Sequence, residues 1–199
     1  MNVELIGWTE NADEIAQQAA GICWMSDNPA KSLQVAMSYG HTSVLEHNSF
    51  TWKIEGISSA ALAQMTRHRI GCSYSVQSFR HTAPGEENTE GLPLMIVPGA
   101  IAGNAQHNAQ FRGAAKTAIM AYQNLIHAGV SKEDARLILP MGVTRNMIVS
   151  MNARALLHFV RLRITPHAEA EIRHIATLMY QTASAKAPII LPPLATSTN

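Results

Sequence analysis

Hydrophobic and polar positions alternate with a period of two at the start of the chain, where Val3 and Leu5 lie between polar neighbours and predict a first strand. Phe50, Trp52 and Ile54 set against Thr51, Lys53 and Glu55 predict a second strand buried on one face, and Met147 to Ser150 is strand-like as well. Elsewhere the period is helical. Asp13 to Ala20 has the composition of a short helix, and Ala30 to Tyr39 puts Leu33, Ala36 and Met37 on one face before a stop at Gly40. Ser58 or Ser59 can cap a helix through Ala60 to Met65 that runs into Arg67-His68-Arg69. Ala105 to Ala128 carries Phe111, Ala115, Ala118, Tyr122 and Leu125 at intervals of three or four, a long amphipathic helix closed by Gly129.

Ser131-Lys132-Glu133-Asp134 resembles a capping box for the next helix, which Pro140 ends. Asn152 is placed to cap Ala153 to Leu162, whose Leu156, Phe159 and Val160 share a face. A last helix is expected to open at Thr165-Pro166 and to bury Ile172, Ile175, Ala176 and Met179. Gly71 to about Gly91 is rich in Ser, Gly, Pro and Asn with little periodicity, which predicts a long loop of the kind that carries function. The tail from Pro188 is apolar and then polar, so it should pack before fraying. These elements predict an α+β class and a single domain over residues 1–199, without the βαβ alternation of a doubly wound sheet.

Charge changes the picture little globally and more locally. With Lys plus Arg 15 against Asp plus Glu 14, the net charge of +1 makes no field for nucleic acid or an anionic membrane, so anion binding must be local. Charged residues make up only 15% of the chain, below the roughly 25% of ordinary globular proteins, which hints at surface covered by copies of itself. Cys23 and Cys72 are too few for a disulfide framework, and the first residues lack a basic segment followed by an apolar one. A cytoplasmic protein, neither exported nor in the membrane, is the expectation.

Glycine-rich phosphate loops are absent, so side chains must hold any nucleotide, and arginine, with its planar fork of donors, is the natural phosphate ligand. Arg67, Arg69, Arg80, Arg136, Arg145, Arg154, Arg161 and Arg163 all fall near turns or helix ends, where any one of them alone is most often a solvated cation. Arg67-His68-Arg69 is different: two cations flank an imidazole at a helix end, and a hydroxyl-rich stretch follows, closing at Arg80. His167, Glu171 and His174 share a helical face without metalloprotease spacing, so no metal is expected. Cys72 has no legible general base and reads as a semi-buried thiol.

Arg67-His68-Arg69 leading to Ser78-Phe79-Arg80 resembles the signature of the flavin-dependent thymidylate synthases of the ThyX type, Arg-His-Arg followed by Ser-x-Arg. Gly40-His41-Thr42-Ser43-Val44-Leu45-Glu46-His47 is similar to a second family segment, and Ala135-Arg136-Leu137-Ile138-Leu139-Pro140, Asn152-Ala153-Arg154 through Arg163, and His167 to Ile172 follow in family order. The resemblance implies a small antiparallel-rich sheet with packed helices, a homotetramer with shared active sites, and conversion of dUMP to dTMP. FAD is the implied cofactor, with NADPH as reductant and 5,10-methylenetetrahydrofolate as carbon donor.

By the same resemblance, Arg67, His68 and Arg69 would bind FAD, with Ser43, Asn152, Arg154 and His158 completing that site from other parts of the tetramer. Gln64, Arg67, Gln77, Ser78, Arg80 and Arg136 would hold dUMP. Arg163 would activate the uracil without any enzymic nucleophile. Two departures stand out: the spacer Ile70 to Gln77 is one residue longer than the common short form, and Val76 takes a place where many members carry Glu or Gln. Valine offers no hydrogen bond, which motivates an alternative product or base, a deoxypyrimidine hydroxymethylase or a methylase of dCMP. A nucleic-acid-binding module is a further alternative that the near-neutral charge disfavours.

Overall fold

The computed structural model describes residues 1–84 and 95–194. Four strands, β1 (Asn2–Trp8), β2 (Ser49–Ser58), β3 (Cys72–Val76) and β4 (Thr144–Asn152), form one sheet in the order β1-β2-β4-β3. Its pairing is antiparallel. The Thr9 amide donates to Ser49 O at 2.9 Å where β1 leaves β2, and the Thr51 and Ser150 hydroxyls meet at 2.8 Å across β2 and β4. Gln77 N donates to Asn146 O at one end of the β3–β4 pair, and Asn152 N donates to Gly71 O at the other, both at 2.9 Å. The chain makes two compact units, one of residues 1–2, 54–66 and 75–147 and one of residues 3–53, 67–74 and 148–199.

In the second of these units, α1 (Ala12–Trp24) buries Ala12, Ala16 and Ala20 and packs on α2 (Pro29–Ser38). Small residues let the two helices approach. A methyl at Gly21 would lie 3.1 Å from the Pro29 ring, tighter than ordinary packing. Asn28 caps α2 by accepting the Lys31 amide, and Gly40 takes φ 74°, the left-handed turn that glycine adopts without strain. A short 3-10 turn, Thr42–Leu45, then buries Val44 and Leu45. α7 (Ala153–Arg163) packs on α8 (Ala170–Ser184), burying Leu156 and Phe159 from one and Ile172, Ile175 and Met179 from the other. Trp52 is fully buried, and its indole N–H reaches Thr182 Oγ at 2.9 Å. The buried Asp13 carboxylate accepts the amides of Ile189 and Ile190, at 3.1 and 3.0 Å, and so fastens the apolar part of the tail to α1.

The other unit holds α3 (Ser59–Met65), α4 (Gly99–Ala102), α5 (Ala105–His127) and α6 (Lys132–Ala135). Ser58 caps α3 through the Ala61 amide, and Ser131 caps α6 through that of Asp134, as the sequence predicts. α5 buries Ala115, Ile119 and Tyr122, while Leu125 lies on the solvent side. Its apolar stripe therefore drifts around the helix relative to the expected one. Phe79, Ile119 and Val143 form a small core with Leu139 against it.

Three expectations need correction. The stretch after Gly71 is not all loop, because Cys72–Val76 is an edge strand whose alternate residues are half-buried; residues 85–91 of that stretch lie outside the described residues. α8 begins at Ala170 rather than at Thr165-Pro166, which form a single turn closed by the Ala168 amide on Thr165 O at 3.0 Å. The first helix runs on to Trp24, four residues past its expected end.

Candidate functional site

Gly71 organises the site. It has φ 70°, and a methyl there would sit 2.5 Å from the Asn152 amide, so only glycine lets the strand-entry turn press against the cap of α7. Asn152 in turn accepts the Ala155 amide at 2.8 Å and starts α7, as its place in the sequence predicts. α7 then presents Arg154, His158 and Arg163 toward the segment Arg67 to Cys72. Together they line a cleft of about 980 Å³ with Arg67, His68, Arg69, Asn152 and Glu46. Seven residues singled out in the sequence, from Arg67 to Arg163, thus line one cleft of a single chain, so that Asn152, Arg154 and His158 meet Arg67, His68 and Arg69 within one protomer rather than from other parts of a tetramer. Ser43 is not among the lining residues; it lies exposed in the 3-10 turn just before Glu46.

The cavity is cationic. Arg67, Arg69, Arg154 and Arg163 face it, against Glu46 as the single carboxylate of the lining, and Glu46 is held by Arg154 at 2.5 Å. His68 is buried; its Nε2 accepts the Arg163 Nε–H at 3.1 Å, and its ring stands edge-on to Phe159 at 4.9 Å. Burial, then the charges of Arg163 and His158, hold its pKa down at about 4, so it is a neutral acceptor at pH 7. Tyr74 donates its hydroxyl to His68 O at 2.7 Å, and burial pushes that phenol well above its usual range. Burial also raises the pKa of the Cys72 thiol, whose S–H points at Ile70 O.

The remaining residues singled out in the sequence lie in the other unit. Ser78 to Thr82 form a turn in which Ser78 O accepts the amides of His81 and Thr82. Arg80 pairs with Glu133 at 3.0 Å, and Arg136 donates Nε to Glu133 O at 3.1 Å, which brings these two guanidiniums to one residue. Gln77 braces the turn: its amide donates to Thr82 Oγ and Ala83 O and accepts the Asn146 amide. Gln64 sits half-buried on the last turn of α3.

Sequence reasoning gave no role to Glu46, quoted only within a motif, or to Arg145, counted only as one of eight arginines. Glu46 stands inside a quoted motif, and an exposed acid beside an arginine-rich site was the available signal. Arg145 lies 4.0 Å over the Phe79 ring and donates to Ser59 Oγ at 2.9 Å, so it supports the Ser78-Phe79-Arg80 turn from below. Nothing in its strand setting announces that.

Comparisons with known proteins bear on the family and the fold. A family model described as thymidylate synthase complementing protein matches residues 4–189. The flavin-dependent thymidylate synthase of Geobacter sulfurreducens is 38% identical over 202 residues, covering 96% of this chain and 85% of that protein. The enzyme of the same description from Pyrococcus furiosus is 36% identical over 193 residues, covering 91% and 78%. Among solved structures, the flavin-dependent thymidylate synthase ThyX of Helicobacter pylori, complexed with FAD and dUMP, superposes with a TM-score of 0.78 at 24% identity, over 96% of this chain and 98% of the other, a likeness of fold. Because the family model runs through the arginine segments that build the cationic cleft, and relatives align over nearly the whole chain, this protein belongs to the flavin-dependent thymidylate synthase family.

Proposed function

We propose that this protein carries out flavin-dependent reductive methylation of dUMP to dTMP, with FAD as cofactor, NADPH as reductant and 5,10-methylenetetrahydrofolate as carbon donor. The observation that carries the reading is the cleft itself, where four guanidiniums outnumber one carboxylate that is already paired. Such a lining suits a ligand with a diphosphate and a polar ring system. Arg67, Arg69 and Arg154 would take the phosphates, and His68, Asn152 and His158 would border the ring, with Ser43 supplied from elsewhere in the assembly. When bound, the reduced flavin supplies the hydride. Gln64, Arg67, Gln77, Ser78, Arg80 and Arg136 would hold dUMP, the cations of Arg80 and Arg136 serving its phosphate.

Arg163 is the activating residue in this reading. Hydrogen-bonded to the uracil, it stabilises the ring as negative charge develops and C5 turns nucleophilic. A charge-assisted hydrogen bond is worth about 1.5–3 kcal/mol, and each unit of acidity requires about 1.4 kcal/mol, so one guanidinium moves the base by one or two units. The chain would act as one catalytic domain within a cytoplasmic homotetramer. No described helix is long and apolar enough to cross a membrane.

Incubation of the purified protein with FAD, NADPH, methylenetetrahydrofolate and either dUMP or dCMP, with the product weighed by mass spectrometry, tests the reading. Formation of dTMP is expected from dUMP. A hydroxymethylated product, or turnover of dCMP alone, would replace it with the reading that Val76 motivates. Arg163→Ala should retain flavin absorbance and lose nearly all turnover, whereas unimpaired dTMP formation would remove Arg163 from its role.

A further inference from the structure

Arg163 is the last residue of α7, where a long side chain with several rotatable bonds has many ways to point. A guanidinium is planar, and a hydrogen bond from Nε constrains the direction in which its fork points. That bond goes to His68 Nε2 at 3.1 Å. We propose that His68 is the positioning residue for Arg163, an inference that rests on the role given to Arg163 above and assigns His68 a task beyond lining the flavin cleft.

Three contacts make the imidazole a fixed post. Phe159 meets it edge-on at 89°, His158 lies 5.8 Å away at 65°, and the Tyr74 hydroxyl holds its backbone carbonyl. The side chain is 8% exposed, so it cannot swing into solvent. To accept from Arg163 the ring must carry its proton on Nδ1, leaving Nε2 as a lone pair. The groups around it favour that form: burial first, and then the neighbouring Arg163 and His158, oppose a second proton.

The choice of partner has a chemical consequence. A carboxylate would orient the guanidinium equally well but would offset its charge, the very charge that must meet an electron-rich uracil. A neutral imidazole orients without neutralising. Within the lining of the cleft the available carboxylate, Glu46, is engaged by Arg154 instead.

The test compares the parent with His68→Ala and His68→Gln, each saturated with FAD, for dTMP formation, and adds a nitrogen NMR measurement on the flavin-free protein. Loss of orientation at a reacting centre costs on the order of 10- to 100-fold. His68→Ala should lose about that much in kcat while KM for dUMP changes by less than about threefold. His68→Gln, whose amide oxygen can occupy the place of Nε2, should recover most of the loss. In the flavin-free protein at pH 7, His68 Nε2 should show the shift of an unprotonated acceptor and should move on Arg163→Lys. Parent-like kcat in His68→Ala, no advantage of Gln over Ala, or a ring protonated on both nitrogens would each overturn the assignment. A parent that forms no dTMP would remove the functional reading instead; the NMR measurement would then decide the pairing alone, a shift unmoved by Arg163→Lys overturning it.

Discussion

His68 is the residue on which stability and acidity meet. An imidazole in the unfolded chain titrates near 6.5, and in the fold it is held down at about 4. Between those values the unfolded chain takes up a proton that the folded one resists, so stability is fully present above pH 6.5 and falls as pH drops toward 4. The ceiling on this contribution is ~3 kcal/mol. Urea melts at pH 7 and pH 4.5 should show the parent losing up to ~2–3 kcal/mol more than His68→Gln over that interval, and equal losses would contradict the assignment. In the sequence this residue was visible as one of a trio, but its partner was not. Arg163 lies 95 positions away, and no local pattern reports a contact of that separation. The caps, by contrast, were legible at single-residue level: Ser58, Ser131 and Asn152 each accept the amide three residues on, a geometry set wholly by neighbours in the chain.

At the scale of elements, the turn into β3 carries the largest constraint. Any side chain at Gly71 must tolerate a positive φ, which costs a non-glycine residue about 1–2 kcal/mol, and must displace the Asn152 amide that caps α7, worth about 0.5–2 kcal/mol more. Gly71→Ala should therefore lower stability by ~2–4 kcal/mol in thermal or urea melts, and parent-like melting would show that the turn can open without the cap. The strand that follows was missed because serines at Ser73 and Ser75 mimic loop composition, although Cys72, Tyr74 and Val76 alternate with them. An edge strand needs burial on one side only, so its pattern is faint. Thr165-Pro166 erred the other way, since a strong start signal yielded one turn and the helix waited until Ala170. Local preference is a weak prior that packing overrides.

For the whole molecule, the sparse charge noted at the outset returns as exposed apolar side chains. Ile22, Met25, Tyr39 and Leu137 are each more than 70% exposed in the single chain. The homotetramer proposed above would cover such positions. Light scattering on the purified protein should give four times the mass of one 21.6 kDa chain, and a monomer would contradict it. The fold class followed from element types and order, and the cleft residues from their segments. How the segments meet did not, because that depends on the register of four strands drawn from distant stretches of the chain.

The imbalance of guanidinium over carboxylate in the cleft has an outcome in the cell. Several cations share one lining, and a phosphorylated occupant of the kind proposed above would shift the folding equilibrium by mass action, by about 2.7 kcal/mol at a hundredfold excess over its dissociation constant. Proteolytic quality control acts on the unfolded fraction. With the flavin of the proposed reading as that occupant, the standing amount of this protein in a living cell would track the supply of the vitamin from which flavins are made.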